Sequence, residues 1–111
     1  MAGKNFKDIF GFINKFGDAT VTETTFRPTS GRTLWTFGRS EECDFVYPAA
    51  KVSRQHCKIE YISSHYYITD LGSTNGTFLN GKRIEHKERI FTGDVITIGG
   101  VDIVFSRDML F

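Results

Sequence analysis

Little in this chain sets up a disulfide framework, a flexible linker or a membrane span. Its two cysteines, Cys43 and Cys57, lie beside apolar or strand-forming residues with no metal-ligand partner at useful spacing. They are expected to be reduced core thiols of an intracellular protein, cytoplasmic or nuclear, rather than a disulfide. With two prolines and no Ser/Gly-rich or charge-block segment, no linker stands out. There is no internal repeat. No apolar run is long enough for a bilayer, and the opening MAGKNFKDIF has no continuous apolar stretch resembling a secretory signal. A formal net charge of +1 offers no basic face of the kind that drives nucleic-acid binding, so any preference for anions must be local. Neither a P-loop lysine motif nor a GxGxxG occurs, which removes the common nucleotide signatures. No cofactor, metal, nucleic acid or membrane is expected as a partner.

What is present is a packed globule. Hydrophobic residues make up 40% of the 111 positions, and eleven are phenylalanine, enough for one domain with one core and too short for a catalytic and a regulatory domain together. We expect that domain over residues 9–107, with tails at 1–8 and 108–111. Short β-branched and aromatic runs broken by turn signals predict strands at Thr33 to Phe37, Asp44 to Tyr47, His56 to Ile62, His65 to Asp70, Thr77 to Leu79, Val95 to Ile98 and Val101 to Phe105. Ser63-Ser64, Asn80-Gly81, Gly93-Asp94 and Gly99-Gly100 read as turns. Asn-Gly is the strongest, because a type I′ hairpin needs positive φ at both central residues. So many strands at short spacing imply an all-β, two-sheet antiparallel β-sandwich. At the N-terminus, Phe6, Ile9, Phe10, Ile13 and Phe16 also fit a helical stripe, but Gly11 costs a helix about 1 kcal/mol, so a first strand over Ile9 to Phe16 is expected.

One consequence follows from chain geometry. If His56 to Ile62 and His65 to Asp70 form a hairpin turning at Ser63-Ser64, the outer ends of both strands meet at the opposite end of the sheet. The loop before His56 (Ala49 to Gln55) and the loop after Asp70 (Leu71 to Asn75) are then neighbours. Lys51, Ser53 and Arg54 face Ser73, Thr74 and Asn75 across a small gap, on loops held by a rigid scaffold.

Gly38-Arg39, Ser53-Arg54-Gln55-His56, Ser73-Thr74-Asn75-Gly76-Thr77, Asn80-Gly81 and the late run Gly93-Asp94-Val95-Ile96-Thr97-Ile98-Gly99 together resemble the forkhead-associated (FHA) domain. The resemblance runs from about Thr33 to Phe105. It implies a β-sandwich whose loops bind phosphothreonine peptides, acting in kinase signalling and without catalysis. Arg39 has a planar fork that can give a phosphate two parallel charge-assisted bonds, and by resemblance it contacts the phosphate or the backbone near it. By the same resemblance Ser53 is a direct phosphate ligand and Arg54 reaches the phosphate or the peptide backbone. The Thr74 hydroxyl donates to phosphate, and the Asn75 amide can pair with N–H and C=O of an extended peptide. Ser73 and Lys51 complete the expected peptide-binding set. Gly38, His56 and Gly76 are expected to be structural, with Gly76 supplying a backbone conformation a β-carbon opposes.

Two rivals come from other classes. A structural or dimerisation domain would keep the sandwich and use phosphate-independent contacts, but it would have no need of Arg39, Ser53, Thr74 and Asn75. A hydrolase built on Ser53, His56 and Asp70 lacks a nucleophile elbow, an oxyanion donor pair and a second acid. His65 and His86 have no metal-ligand spacing and are expected to be exposed. Asp44, Asp70 and Asp94 read as bracing or turn carboxylates, and Trp35 with the phenylalanines as core. The run Asp18 to Pro28 is threonine-rich, and its bland reading is an edge strand or loop. Its sharper reading is that, of Thr20, Thr22, Thr24 and Thr25, the acid-flanked Thr24 or Thr25 beside Glu23 is a kinase target that then occupies the site of the same or a neighbouring molecule, the neighbour being the easier geometry.

Overall fold

The computed structural model describes residues 25–107 throughout, and the backbone of Ile13–Asn14 and Val21–Thr22. The expected tails and most of the expected first strand lie outside the described residues, although Ile13–Asn14 within it is a strand. Two six-stranded sheets face each other. One runs in the order β1 (Ile13–Asn14), β5 (Phe45–Val46), β4 (Leu34–Gly38), β6 (Cys57–Ile62), β7 (His65–Asp70), β10 (Glu88–Ile90). The other runs β2 (Val21–Thr22), β3 (Thr25–Phe26), β12 (Val101–Phe105), β11 (Val95–Ile98), β8 (Thr77–Leu79), β9 (Lys82–Arg83). No helix long and apolar enough to cross a membrane occurs among the described residues.

The sandwich is the expected one, but its sheets are mixed rather than purely antiparallel. β4 pairs with β5 in parallel and β12 with β3 in parallel. The hairpin turns follow their chemistry. Asn80 (φ 53°) and Gly81 (φ 84°), and Gly99 (φ 55°) and Gly100 (φ 86°), all take the positive φ that a type I′ turn requires. Ser63 (φ 50°) and Ser64 (φ 71°) do the same without a glycine, and the full-length ladder of β6 on β7, from Cys57↔Asp70 to Ile62↔His65, holds them there.

The core forms where the two inner faces meet. Trp35 and Phe37 of β4 and Phe45 of β5 point inward, while Leu34 and Thr36 alternate outward. Phe26 of β3 meets all three rings edge-on at centroid distances of 5.6, 5.3 and 5.3 Å, the arrangement that aromatic quadrupoles favour. Ile96, Ile98, Ile103 and Phe105 complete the opposite wall. The phenylalanines are not all core, since Phe91 is half exposed and lies under the Arg89 guanidinium. His65 is half-buried, contrary to the expectation of exposure, because it sits in the ladder opposite Ile62. His86 is exposed as expected. Val21–Thr22 is an edge strand, and Thr25 is held between β2 and β12; Thr20 and Thr24 lie outside the described residues.

Candidate functional site

The hairpin of β6 and β7 brings the two motif loops together as its geometry requires. Ser53 Oγ accepts the Thr74 N–H at 3.0 Å, and Asn75 Nδ2 donates to the Lys51 carbonyl at 2.9 Å. His56 lies beneath both loops, fully buried. Its Nδ1 accepts the Ser53 N–H at 3.0 Å and its Nε2 meets the Gly76 carbonyl at 2.9 Å. One ring nitrogen accepts and the other faces an oxygen that can only accept, so these bonds assign the neutral tautomer protonated at Nε2. The ring is a rivet between loops.

The third segment joins from the end of β4. The Arg39 N–H donates to the Ser53 carbonyl and the Ser40 N–H to the Arg54 carbonyl. Arg39 Nε donates to the Val52 carbonyl at 3.0 Å, which anchors the guanidinium against the neighbouring loop and leaves its terminal nitrogens without a hydrogen bond among the described residues. Gly38 has to be glycine for this approach. A β-carbon there falls 2.3 Å from the Arg54 carbonyl oxygen, a backbone atom that cannot step aside. The Cys43 thiol also donates to that carbonyl at 3.2 Å. Cys43 and Cys57 are free and buried. Burial, then the nearby Asp70 and Cys43, pushes the Cys57 thiol far up, so it is inert as a nucleophile.

Asp70 organises the second loop. One carboxylate oxygen accepts the Ser73 and Thr77 hydroxyls, at 2.5 and 2.6 Å, and the other accepts the N–H groups of Gly72 and Ser73, both at 3.0 Å. Burial pushes this carboxyl up, but the bonds from the two hydroxyls and two amides outweigh it and hold it below the usual carboxylate range. Ser73 therefore departs from its expected role. It is buried, and its hydroxyl donates to Asp70 and accepts the Gly76 N–H at 2.9 Å. It braces the loop from inside.

The geometry brings Arg39, Lys51, Ser53, Arg54, Thr74 and Asn75 to one end of the sandwich, on three segments stitched by hydrogen bonds. Arg39, Lys51, Arg54, Thr74 and Asn75 are exposed there, and Ser53 is partly so. Gly76 has φ +89° and supports its expected structural role.

Two contributors escaped the sequence. Gly99 looked like an ordinary hairpin glycine, yet a β-carbon on it falls 2.6 Å from Val52 Cγ2 and 2.7 Å from the Lys51 carbonyl carbon. The β11–β12 turn thus supports the loop that carries Ser53. Arg83 of β9 lies over Gly76, with its Nε 2.8 Å from where a β-carbon would be. The first is not visible without the fold, since nothing local links residue 99 to 51; the second follows from the Asn80-Gly81 hairpin, which pairs Phe78 with Arg83.

The chain is similar to several known proteins. A family model described as FHA domain matches residues 35–99. The chain is 45% identical over 62 residues to proliferation marker protein Ki-67 of Homo sapiens, covering 56% of this chain and 2% of that protein, so it spans only a small part of that relative. Among solved structures, Mycobacterium tuberculosis EmbR in complex with a low-affinity phosphopeptide superposes with a TM-score of 0.67 at 31% identity, covering 74% of this chain and 23% of that one. A structure from a structural and functional analysis of phosphothreonine-dependent FHA domain interactions gives a TM-score of 0.61 at 32% identity, covering 68% of this chain and 83% of that one.

Proposed function

The chain belongs to the FHA domain family, and from that premise we propose that it binds phosphothreonine-containing peptides and so recruits phosphorylated proteins in kinase signalling. The observation that supports this best is the convergence of Arg39, Ser53 and Thr74. Arg39, Ser53 and Thr74 lie on three segments at one end of the sandwich, and the hydrogen bonds between those segments fix them before any ligand arrives. Preorganisation of this kind lowers the entropy lost on binding. In this reading Arg54 adds a second cation, and the Asn75 amide pairs with the peptide backbone.

The hydrolase alternative finds no support in the site. His56 Nδ1 takes the Ser53 backbone N–H rather than its Oγ, so His56 does not serve as a base for the hydroxyl in this arrangement. Self-recognition through a phosphorylated N-terminal threonine is weakened for Thr25, which a kinase would have to extract from between two strands. We take residues 9–107 as the binding unit.

An oriented phosphothreonine peptide library with matched unphosphorylated controls tests the proposal. Binding is expected only to phosphorylated members, and equal capture of both sets would overturn it. Phosphothreonine should also exceed phosphoserine by about fourfold, the equivalent of about 0.8 kcal/mol for burying one methyl group. Binding should weaken as pH falls through about 6, where the phosphate becomes a monoanion.

Two further outcomes concern the loop around Ser53. Lys51 is exposed at the rim, so its charge is expected to favour an acidic residue three positions after the phosphothreonine by about 1 kcal/mol or less, fading with salt. A library showing an aliphatic preference there, unchanged by Lys51→Glu, would refute it. Gly99→Ala forces a side chain into positive φ and against Lys51 and Val52, at a cost of about 1–3 kcal/mol. Its melting temperature and phosphopeptide affinity should fall together, although residue 99 touches no ligand. An unchanged affinity would separate the β11–β12 turn from the site.

A further inference from the structure

Thr92 follows the exposed Phe91 on the turn that joins β10 to β11. The Asp94 N–H closes that turn on the Phe91 carbonyl at 2.9 Å, and the Asp94 carboxylate accepts the Phe91 N–H at 2.8 Å. The Thr92 hydroxyl accepts the Arg107 N–H at 2.9 Å, its one hydrogen bond among the described residues, so its own proton is committed to no acceptor. The Gly93 N–H ties the turn to the Phe105 carbonyl at the end of β12, and Arg107 reaches on to the Ser64 carbonyl in the β6–β7 turn. Thr92 therefore lies at the end of the sandwich opposite to the loops of Ser53 and Thr74.

The residues before it carry a charge pattern. Arg89 stands three positions before Thr92 and Lys87 five. Both cations lie on the outer face of their sheet. Arg89 pairs in the ladder with Tyr67, which points away from the buried Tyr66 and Ile68, and the Lys87 ammonium sits over the Tyr67 ring at 5.9 Å and 3.5 Å from Glu60. The Arg89 guanidinium rests on Phe91 and has no carboxylate within 4 Å among the described residues. Lys87, Arg89 and Thr92 are all exposed. Ser30 is the other exposed hydroxyl among the described residues with an arginine three positions before it, but that arginine, Arg27, is half-buried and the residue five before is Thr25.

We propose that Thr92 is a phosphorylation site, modified by a protein kinase of the class that selects basic side chains ahead of the acceptor, with Arg89 and Lys87 as the selecting residues. Kinases discriminate among substrates by such charge patterns. In the transfer, Thr92 Oγ attacks the γ-phosphorus of ATP. The Oγ–P bond forms as the bond from that phosphorus to the ADP oxygen breaks, and the hydroxyl proton passes to the catalytic carboxylate of the kinase. Little holds the segment against being drawn out for this step. β10 is a three-residue edge strand, and the bonds that fold Phe91 and Thr92 into the turn are exposed ones, which open locally at far less cost than global unfolding. The product is a dianion beside the Arg107 N–H, and Asp94, the carboxylate of the same turn, is directed to the Phe91 N–H and the Asn80 amide.

The test incubates the whole chain with ATP and a purified serine/threonine kinase of the basic-directed class, and locates phosphate by mass spectrometry of the intact protein and its proteolytic fragments. One phosphate is expected on Thr92, absent from Thr92→Ala and retained by Thr92→Ser. Arg89→Ala should slow its incorporation by about tenfold, the equivalent of about 1.4 kcal/mol, and Lys87→Ala by less, because Lys87 is already shared with Glu60. A free peptide spanning residues 85–95 reports on the same segment without the fold. If that peptide is phosphorylated and the folded chain is not, the fold withholds Thr92 and the proposal is overturned. If neither is modified, the charge pattern is no kinase signal and the proposal is overturned as well. Phosphate on Ser30 with Thr92 unmodified overturns it too, as does an Arg89→Ala protein modified at the parent's rate. Melting curves of the variants, each altered only at an exposed side chain, establish that the kinase meets the native fold.

Discussion

Arg39→Ala is expected to lose phosphopeptide binding by about two orders of magnitude or more while melting close to the parent. Truncating one partner of a desolvated, hydrogen-bonded charge pair costs roughly 2–5 kcal/mol, and a dianionic phosphate against an anchored guanidinium is such a pair. The anchor decides how much of this Arg39 realises. Its Nε–H is spent on the Val52 carbonyl, so the side chain loses little rotamer freedom on binding and its two terminal nitrogens remain for the ligand. Arg39→Lys provides the sharper comparison, because lysine keeps the charge but can neither hold the Val52 carbonyl in this geometry nor present a fork. Its affinity should stay much closer to the alanine variant than to the parent. The fold should tolerate both changes, since Arg39 is exposed and the strand end is secured by backbone bonds from Arg39 and Ser40. Titration calorimetry beside a thermal melt measures both halves. A folded Arg39→Ala protein that binds normally would remove Arg39 from the site.

The parts of this site legible in the sequence are those that hairpin geometry fixes. Two strands joined at Ser63-Ser64 must end side by side, so the closeness of the Ser53 and Thr74 loops needed no structure. The direction of each side chain within a loop was another matter. Ser73, Thr74 and Asn75 are all small and polar, and only the carboxylate of Asp70 separates them, by drawing Ser73 inward. The role of His56 was legible as structural because a catalytic histidine needs companions that are absent. Gly99 was not legible, because its partner Lys51 is 48 residues away, in a contact that only the packing of the two sheets creates, whereas the place of Arg83 beside Gly76 follows from the Asn80-Gly81 hairpin, which pairs Phe78 with Arg83. The short strands β2, β3, β9 and β10, of two or three residues each, are too brief to show an alternating pattern. The parallel pairing of β4 with β5 has no local signature either, since it depends on where the chain returns after Cys43.

The largest effect away from the ligand is expected at Asp70. Asp70→Asn keeps the shape but replaces one acceptor oxygen with an amide that can only donate. If the remaining oxygen stays with the Gly72 and Ser73 amides, the Ser73 and Thr77 hydroxyl protons lose their acceptor, and if it turns to the hydroxyls, the amides do. Thr77 is fully buried and Ser73 nearly so, so the orphaned groups have little access to water, and each such group costs about 1–3 kcal/mol. A loss of that size lowers the melting temperature of a domain this small by roughly 4–8 °C per kcal/mol. The same bonds hold Gly72 to Gly76 in place, so phosphopeptide affinity should fall by about tenfold, equivalent to about 1.4 kcal/mol, without any contact between residue 70 and the ligand. The pH dependence supplies a separate readout. The folded carboxyl sits below its unfolded value, so its contribution is complete above an unfolded pKa of about 3.9. It is lost as pH falls through the lower folded value. The parent should therefore lose stability in acid more steeply than Asp70→Asn, and the two melting curves should converge toward low pH. Parallel pH profiles for the two proteins would mean that the carboxylate charge does not hold the loop, and would leave Asp70 as a shape-filling residue only.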